Sequence, residues 1–454
     1  MSLFGAMNTA ISGLNAQSNA FGNISDNVAN AETIGYKRVD TNFIDYLTTS
    51  NASVNAPGSV VARPDYVNNV QGTVTQSDNP LGLAIAGQGF FAVSQKTGEA
   101  NSLPTFSPQK YYTRAGDFQM DKNGYLVNSA NEALNGWPVD PASGVVNQNT
   151  LAPIQVTQTV YNPVATSTVT LAANLPATPA VDTVATPLSS DIDVYDSLGT
   201  VHTVTLNWSK SATAANTWSV DIQIPVIPAT NPPTTVSSGT ANVTFGDPAA
   251  VPPVPAGTVD AVADAGGTVP LTNVSPAYDP TNPAAQPSWL QFTTNFGSGP
   301  QTIQLNLGTY GQSDGVTQYA GTQYSLRGLT QNGVPPGSYS SVTTQANGNI
   351  VVNYDNGQSR TIAQVPLITF NDPDQLQRQD GQAFTATVES GTPLAEQAST
   401  NGAGNLVTES VESSNVDIAT EFSKLIVAQR AYSANTKMVT TADDMLQQTI
   451  DMKR

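Results

Sequence analysis

The groups that most often do chemistry at neutral pH are almost missing from this chain: its 454 residues include one histidine, His202, and no cysteine. His202 sits on the return arm of an alternating hairpin. Ile192, Val194 and Tyr195 lead into its turn, Asp196-Ser197-Leu198-Gly199, and Val201, Val204, Leu206 and Trp208 lead out. A nucleophilic triad would need an activated serine beside that imidazole, and no nucleophile elbow accompanies it. Asp191, Asp193 and Asp196 form the densest carboxylate group. Their spacing lacks the glycine and distal glutamate of a calcium loop, so it predicts solvated hairpin ends rather than a metal site. Gly87 and Gly89 do not open a helix after a strand, as a dinucleotide loop requires, and read as a turn or bulge. The inventory implies no catalytic residue, no cofactor and no metal.

With so little chemistry to position, the informative elements are the two ends. All 31 prolines lie between Pro57 and Pro393, and each proline-free end carries an apolar stripe at helical spacing. In the front segment Leu3, Met7, Ala10, Leu14, Gln17, Phe21, Ile24 and Val28 alternate steps of four and three, the pattern of a narrow coiled-coil seam. In the back segment Ile418, Phe422, Leu425, Gln429, Tyr432, Asn435, Val439, Ala442, Leu446 and Ile450 repeat it with small breaks of phase. Ser413, Ser414 and Asn415 are N-cap candidates, and Asp417 and Glu421 suit the positive end of the helix dipole. A helix from 415 to 452 would span roughly 55 Å, long for an element confined to one compact domain. Asn8, Asn15, Asn19, Asn23, Asn27 and Asn30 weaken the front helix in isolation. Both helices are therefore expected to gain order from neighbouring copies. The alternative is an antiparallel hairpin within one chain.

Only 11% of residues are charged against 39% hydrophobic, and the net charge is −18. Between Leu151 and Ala320 ten aspartates face a single base, Lys210. That balance excludes nucleic acid as the expected partner. A composition rich in Thr, Asn, Gln, Ser and Gly makes neutral, hydrogen-bonded β surfaces of the kind found outside cells. No segment approaches 18 continuous apolar residues, so no helical membrane insertion is expected. The first residues also lack the basic and apolar regions of a secretory signal peptide, which implies a dedicated export route.

The fold class read from these patterns is mixed and mainly β. Long terminal helices, within 1–34 and 412–454, pair as a coiled-coil-like inner domain and carry nested β-rich outer domains. Residues 35–71 and 392–411 read as a connecting hinge region, the first part irregular. Residues 72–150 and 321–391 read as an inner β domain, with turns at Asp121-Lys122-Asn123-Gly124, Asn347-Gly348 and Asn356-Gly357. Residues 151–320 hold most of the proline and read as an inserted outer β domain of one or two barrels or sandwiches. Further hinges are expected at 151–156 and 318–322.

The runs Ser12-Gly13-Leu14-Asn15-Ala16, Asn27-Val28-Ala29-Asn30 and Thr33-Ile34-Gly35-Tyr36-Lys37 resemble the N-terminal signature of the bacterial flagellar axial proteins, the rod, hook and hook-associated subunits. Glu412-Ser413-Ser414-Asn415-Val416-Asp417 and Gln429-Arg430-Ala431-Tyr432-Ser433-Ala434-Asn435 are similar to the matching C-terminal signature. The long insertion and its Val194 to Thr200 hairpin resemble the hook members. The resemblance implies a structural subunit that self-assembles into a curved, flexible tube, a universal joint passing torque from rod to filament. It implies assembly through the terminal helices and export through the flagellar type III apparatus. The implied partners are further copies of the chain and the rod, hook-cap and hook–filament junction proteins. The alternatives are a distal rod subunit and, from the Thr- and Asn-rich β middle, an extracellular adhesin.

Overall fold

The computed structural model describes residues 3–50, 55–100, 103–141, 143–178, 187–226, 234–249, 253–267, 269–279, 281–282, 284–321 and 323–452. The chain divides into two compact units. The first comprises Met1–Gln158, Ser340–Asn353 and Ser359–Arg454, and the second Thr159–Tyr339 with Tyr354–Gln358.

In the first unit α1 (Leu3–Ala29) and α2 (Ile418–Asp451) pack together antiparallel. Asn27 bonds Glu421 and Gly13 lies against Asn435, so fourteen residues back along α1 match fourteen forward along α2. The two ends thus pair within one chain, as the hairpin alternative has it. Small side chains let the helices approach: Ala10, Ala16 and Ala20 of α1 and Ala428 and Ala442 of α2 are buried. The start of α2 differs from expectation, because Asp417 is the N-cap, its carboxylate accepting from Thr420 N at 2.6 Å. Asn415 is occupied elsewhere, accepting from Arg38 N and donating to the Val67 and Val70 carbonyls.

The irregular hinge expected over 35–71 is largely a ribbon. Strands β1 (Val39–Ser50) and β2 (Asn55–Tyr66) pair antiparallel from Val39 opposite Tyr66 to Ser50 opposite Asn55. A two-stranded ribbon is marginal alone in water, and this one is held along α1. Thr9 Oγ1 donates to Gly58 O, Val60 N donates to Ser12 Oγ, and Asn23 Nδ2 donates to Thr41 Oγ1. Support from the helix overrides the weak strand propensity of its Asn, Thr and Ser residues. Nor is 392–411 a slack connector: Leu394–Glu396 pairs with Leu367–Thr369, Asn405–Thr408 with Leu83–Ala86, and Ser410–Glu412 with Val74–Gln76. At 151–156 the backbone is anchored too, with Ile154 N donating to Leu134 O and Val156 N to Gly124 O. Gln318 is buried and donates its N–H to Gly257 O, while Thr322 lies outside the described residues. The β body of this unit closes over Leu83, Ile85, Phe91, Val93, Phe118, Leu134, Val365 and Leu367, all fully buried.

The second unit is one sandwich of two five-stranded sheets. The first is a sequential meander of Leu188–Tyr195, Val201–Lys210, Thr217–Pro225, Thr235–Phe245 and Val259–Asp264. In the other, Thr168–Asn174 runs parallel to Pro300–Thr309 and antiparallel to Ser325–Gln331. Alternate residues point inward, so Trp208, Trp218 and Phe245 share a single core with Leu290, Phe292 and Leu305 of the opposite sheet. The unit begins and ends later than the expected 151–320, at Thr159 and Tyr339.

Candidate assembly surface

Where the helix pair leaves the β body, the two sequence signatures meet. Asn27 is buried at the centre: its Nδ2 donates to Val39 O and Glu421 Oε2, and its Oδ1 accepts from Val39 N and Tyr36 Oη. Only an amide offers donors and an acceptor together there. Tyr36 Oη also donates to Asp26, the Arg378 guanidinium lies 4.7 Å from its ring centre, and burial pushes the phenol up to about 12. Gly35 has φ +71°, and a Cβ there would stand 2.3 Å from Ala115 N, so the position admits only glycine without rearrangement. Its N–H donates to Glu412 O. Asn30 receives the Thr33 hydroxyl and turns its own amide back to Asp26. Ser414 Oγ accepts from Val416 N, and Val416 itself is half-buried.

Beneath this joint sits a buried charge cluster. Lys37 Nζ donates to Glu412 Oε1 at 2.6 Å and to Val70 O, and Arg114 Nη1 donates to Glu412 Oε2 at 2.9 Å. Gly72 N completes the carboxylate's partners. Burial pulls the Lys37 ammonium down to about 8, against the attraction of Glu412. Sequence reasoning did not single out Arg114 or the pairing. The available signal was the rarity of charge, which makes a lysine inside an Asn/Gly motif conspicuous.

Above the joint the stripe residues divide. On α1, Ile24 is buried, Met7, Leu14, Phe21 and Val28 are half-buried, Asn15 is exposed, and the side chain of Leu3 lies outside the described set. Ser12 and Gly13 face the ribbon and α2 respectively. On α2, Leu425, Val439 and Leu446 are half-buried, whereas Ile418, Phe422, Gln429, Arg430, Tyr432 and Ile450 are exposed. Ile426, Val427, Met438, Met445 and Met452 are exposed as well. At 100° per residue Ile418, Phe422 and Ile426 fall on one flank of the seam that α1 covers and Val427, Met438, Met445 and Met452 on the other, while Tyr432 and Ile450 keep the phase of the seam itself.

The second unit holds the chemical candidates. His202 Nε2 lies 3.2 Å from Asp196 Oδ2 and its ring stacks on Phe296 at 4.3 Å. Asp196 caps its own turn by accepting from Leu198 N and Thr200 N, and Asp191 and Asp193 accept from Thr205 and Thr203 across the hairpin. Against the expectation of no elbow, the string Gly311-Gln312-Ser313-Asp314-Gly315 does have elbow spacing, but it is a turn in which Asp314 accepts from Thr309, with no helix behind it. These residues are braces for turns.

Family models match along the chain: "Flagella basal body rod protein" over 7–37, "Flagellar hook protein FlgE/F/G D1 domain" over 84–173, "Flagellar basal body protein FlaE D2 domain" over 162–334, and "Flagellar basal body rod FlgEFG protein C-terminal" over 407–452. The flagellar hook protein FlgE of Brucella abortus is 31% identical over 460 residues, with both chains fully covered. The chain belongs to the flagellar hook protein family. That of Salmonella typhimurium is 28% identical, covering 98% of this chain and 99% of the relative. The Helicobacter pylori hook protein FlgE2 structure covers 75% of this chain at 13% identity and TM-score 0.46. As a hook subunit the chain is a structural, self-assembling component of the flagellum.

Proposed function

We propose that copies of this hook subunit join through the two exposed flanks of α2, with the intrachain seam to α1 keeping each helix pair rigid. The observation that carries this reading is the exposure of Ile418, Phe422 and Ile426 on one flank and Val427, Met438 and Met445 on the other. Apolar faces of that extent on a helix pair are covered in a stable assembly. Torque then passes through paired helices and the Lys37–Glu412 joint into the β body. The acidic sandwich unit, with ten aspartates against Lys210 and Arg327 between 159 and 339, gives neighbouring copies like-charged surfaces that do not lock together as the tube bends. Specific partners at the tube's two ends are the rod, hook-cap and hook–filament junction proteins, and the subunit reaches them through the flagellar type III export apparatus.

Phe422→Asp tests the reading. It should leave the subunit folded, with an unchanged urea midpoint, and abolish tubes in electron micrographs. Tubes of normal abundance from the variant would overturn it.

A further inference from the structure

We propose that Met438, Met445 and Met452 form a docking stripe that seats in the groove at the foot of the helix pair of a second copy. The inference rests on the polymer reading above and names the surface that the methionine flank meets. The three methionines recur every seventh residue and are 60%, 52% and 85% exposed. Seven residues are nearly two turns, so the three thioethers form a single row. Half of the chain's six methionines stand in it.

The groove has a volume of about 620 Å³ and lies between three elements: Ala20 and Ile24 of α1, Val39 and Phe43 of β1, and Val427 and Ala428 of α2. Its lining is mostly apolar, and Phe43 and Val427 remain exposed. Asp40 and Glu421 stand at its edge with Lys424 between them, and Arg38 pairs with Asp40 from the other side. Row and groove sit at opposite ends of α2: Val427 and Met445 are eighteen residues apart, roughly 27 Å along a helix. Copies docked in the same direction therefore leave one free row and one free groove, and such a contact propagates instead of closing. Methionine suits a joint of this kind, because an unbranched thioether repacks as the spacing between copies changes during rotation.

Wild-type protein gives the first test. Dilute hydrogen peroxide transfers one oxygen atom to each accessible thioether sulfur and leaves as water. Peptide mass spectrometry then compares soluble subunits with assembled tubes. Oxidation at 438, 445 and 452 should slow roughly tenfold in tubes while Met120 of the β body reacts equally in both states. Equal rates at the row would overturn the proposal and, since the tubes had formed, would leave the polymer reading standing only on the flank of Ile418, Phe422 and Ile426. The second test uses the absence of native cysteine: Phe43→Cys subunits are co-assembled with Met445→Cys subunits and oxidised. A disulfide-linked pair in tubes and not in the soluble mixture supports the contact. Tubes lacking it, or a linked dimer that makes no tubes, overturn it. Val427→Cys replaces Phe43→Cys if that variant does not fold.

Discussion

Lys37 and Glu412 stand 375 residues apart in the chain and 2.6 Å apart in space, both charged groups buried. With Arg114 on the second carboxylate oxygen, this contact ties the exit of α1 and the approach to α2 to the same β body. One anion here neutralises two cations, so the partners are unequal. Glu412→Gln should cost about 3–5 kcal/mol, because it leaves two buried cations facing each other. Urea unfolding of the monomeric subunit measures it, and a loss below about 1 kcal/mol would refute the account.

The same cluster gives a pH signature. Burial holds Lys37 at about 8, below the 10.5 of an unfolded chain. Between those values the unfolded state binds the extra proton, so this group makes unfolding harder as pH rises from 8 toward 10.5, by at most about 1.4 kcal/mol per pH unit. Tyr36 acts with the opposite sign: its phenol is pushed from 10 up to about 12, so its contribution is lost as pH rises from 10 to 12. Wild type minus Lys37→Met should show a rising difference in unfolding free energy across the first window. A flat or falling difference there would contradict it.

Gly35→Ala probes the backbone at the joint. A methyl group at φ +71° would meet Ala115 N at 2.3 Å, and Ala115 is backbone within the β body that cannot swing aside. Strain and clash together should exceed about 2 kcal/mol. Circular dichroism melts would register this as a lower Tm, and an unchanged Tm would show that the turn rearranges freely.

The terminal helices were legible because period and proline content are local properties, and the Asp196 hairpin because its alternation is unbroken. The β1–β2 ribbon was not legible. Its strands draw support from Thr9, Ser12 and Asn23 of α1, a tertiary term no strand propensity contains. The N-cap was misplaced for a similar reason, since Asn415 serves Arg38 and Val67 rather than the helix. The stripe on α2 could be read, but its division into a covered seam and open flanks depends on which side α1 takes. The seam is marked by what is small, Gly13 with Ala20 and Ala428, whereas the eye follows what is large.

Gly13 and Asn435 set the closeness of the two helices. A Cβ at Gly13 would stand 2.9 Å from Asn435 Nδ2, the movable tip of an amide. Two effects compete in Gly13→Ala: alanine gains about 1 kcal/mol of helix propensity, and the amide must turn slightly away. The gain should win, so Gly13→Ala is expected to be neutral or mildly stabilising. Gly13→Leu cannot be absorbed by a rotating amide and should push the helices apart, lowering the urea midpoint. Adding Asn435→Ala removes the obstructing side chain and should recover part of the loss, with a coupling of at least about 1 kcal/mol in the double-mutant cycle. If the two substitutions prove additive, the helices do not touch through this pair and the antiparallel register drawn from it is wrong.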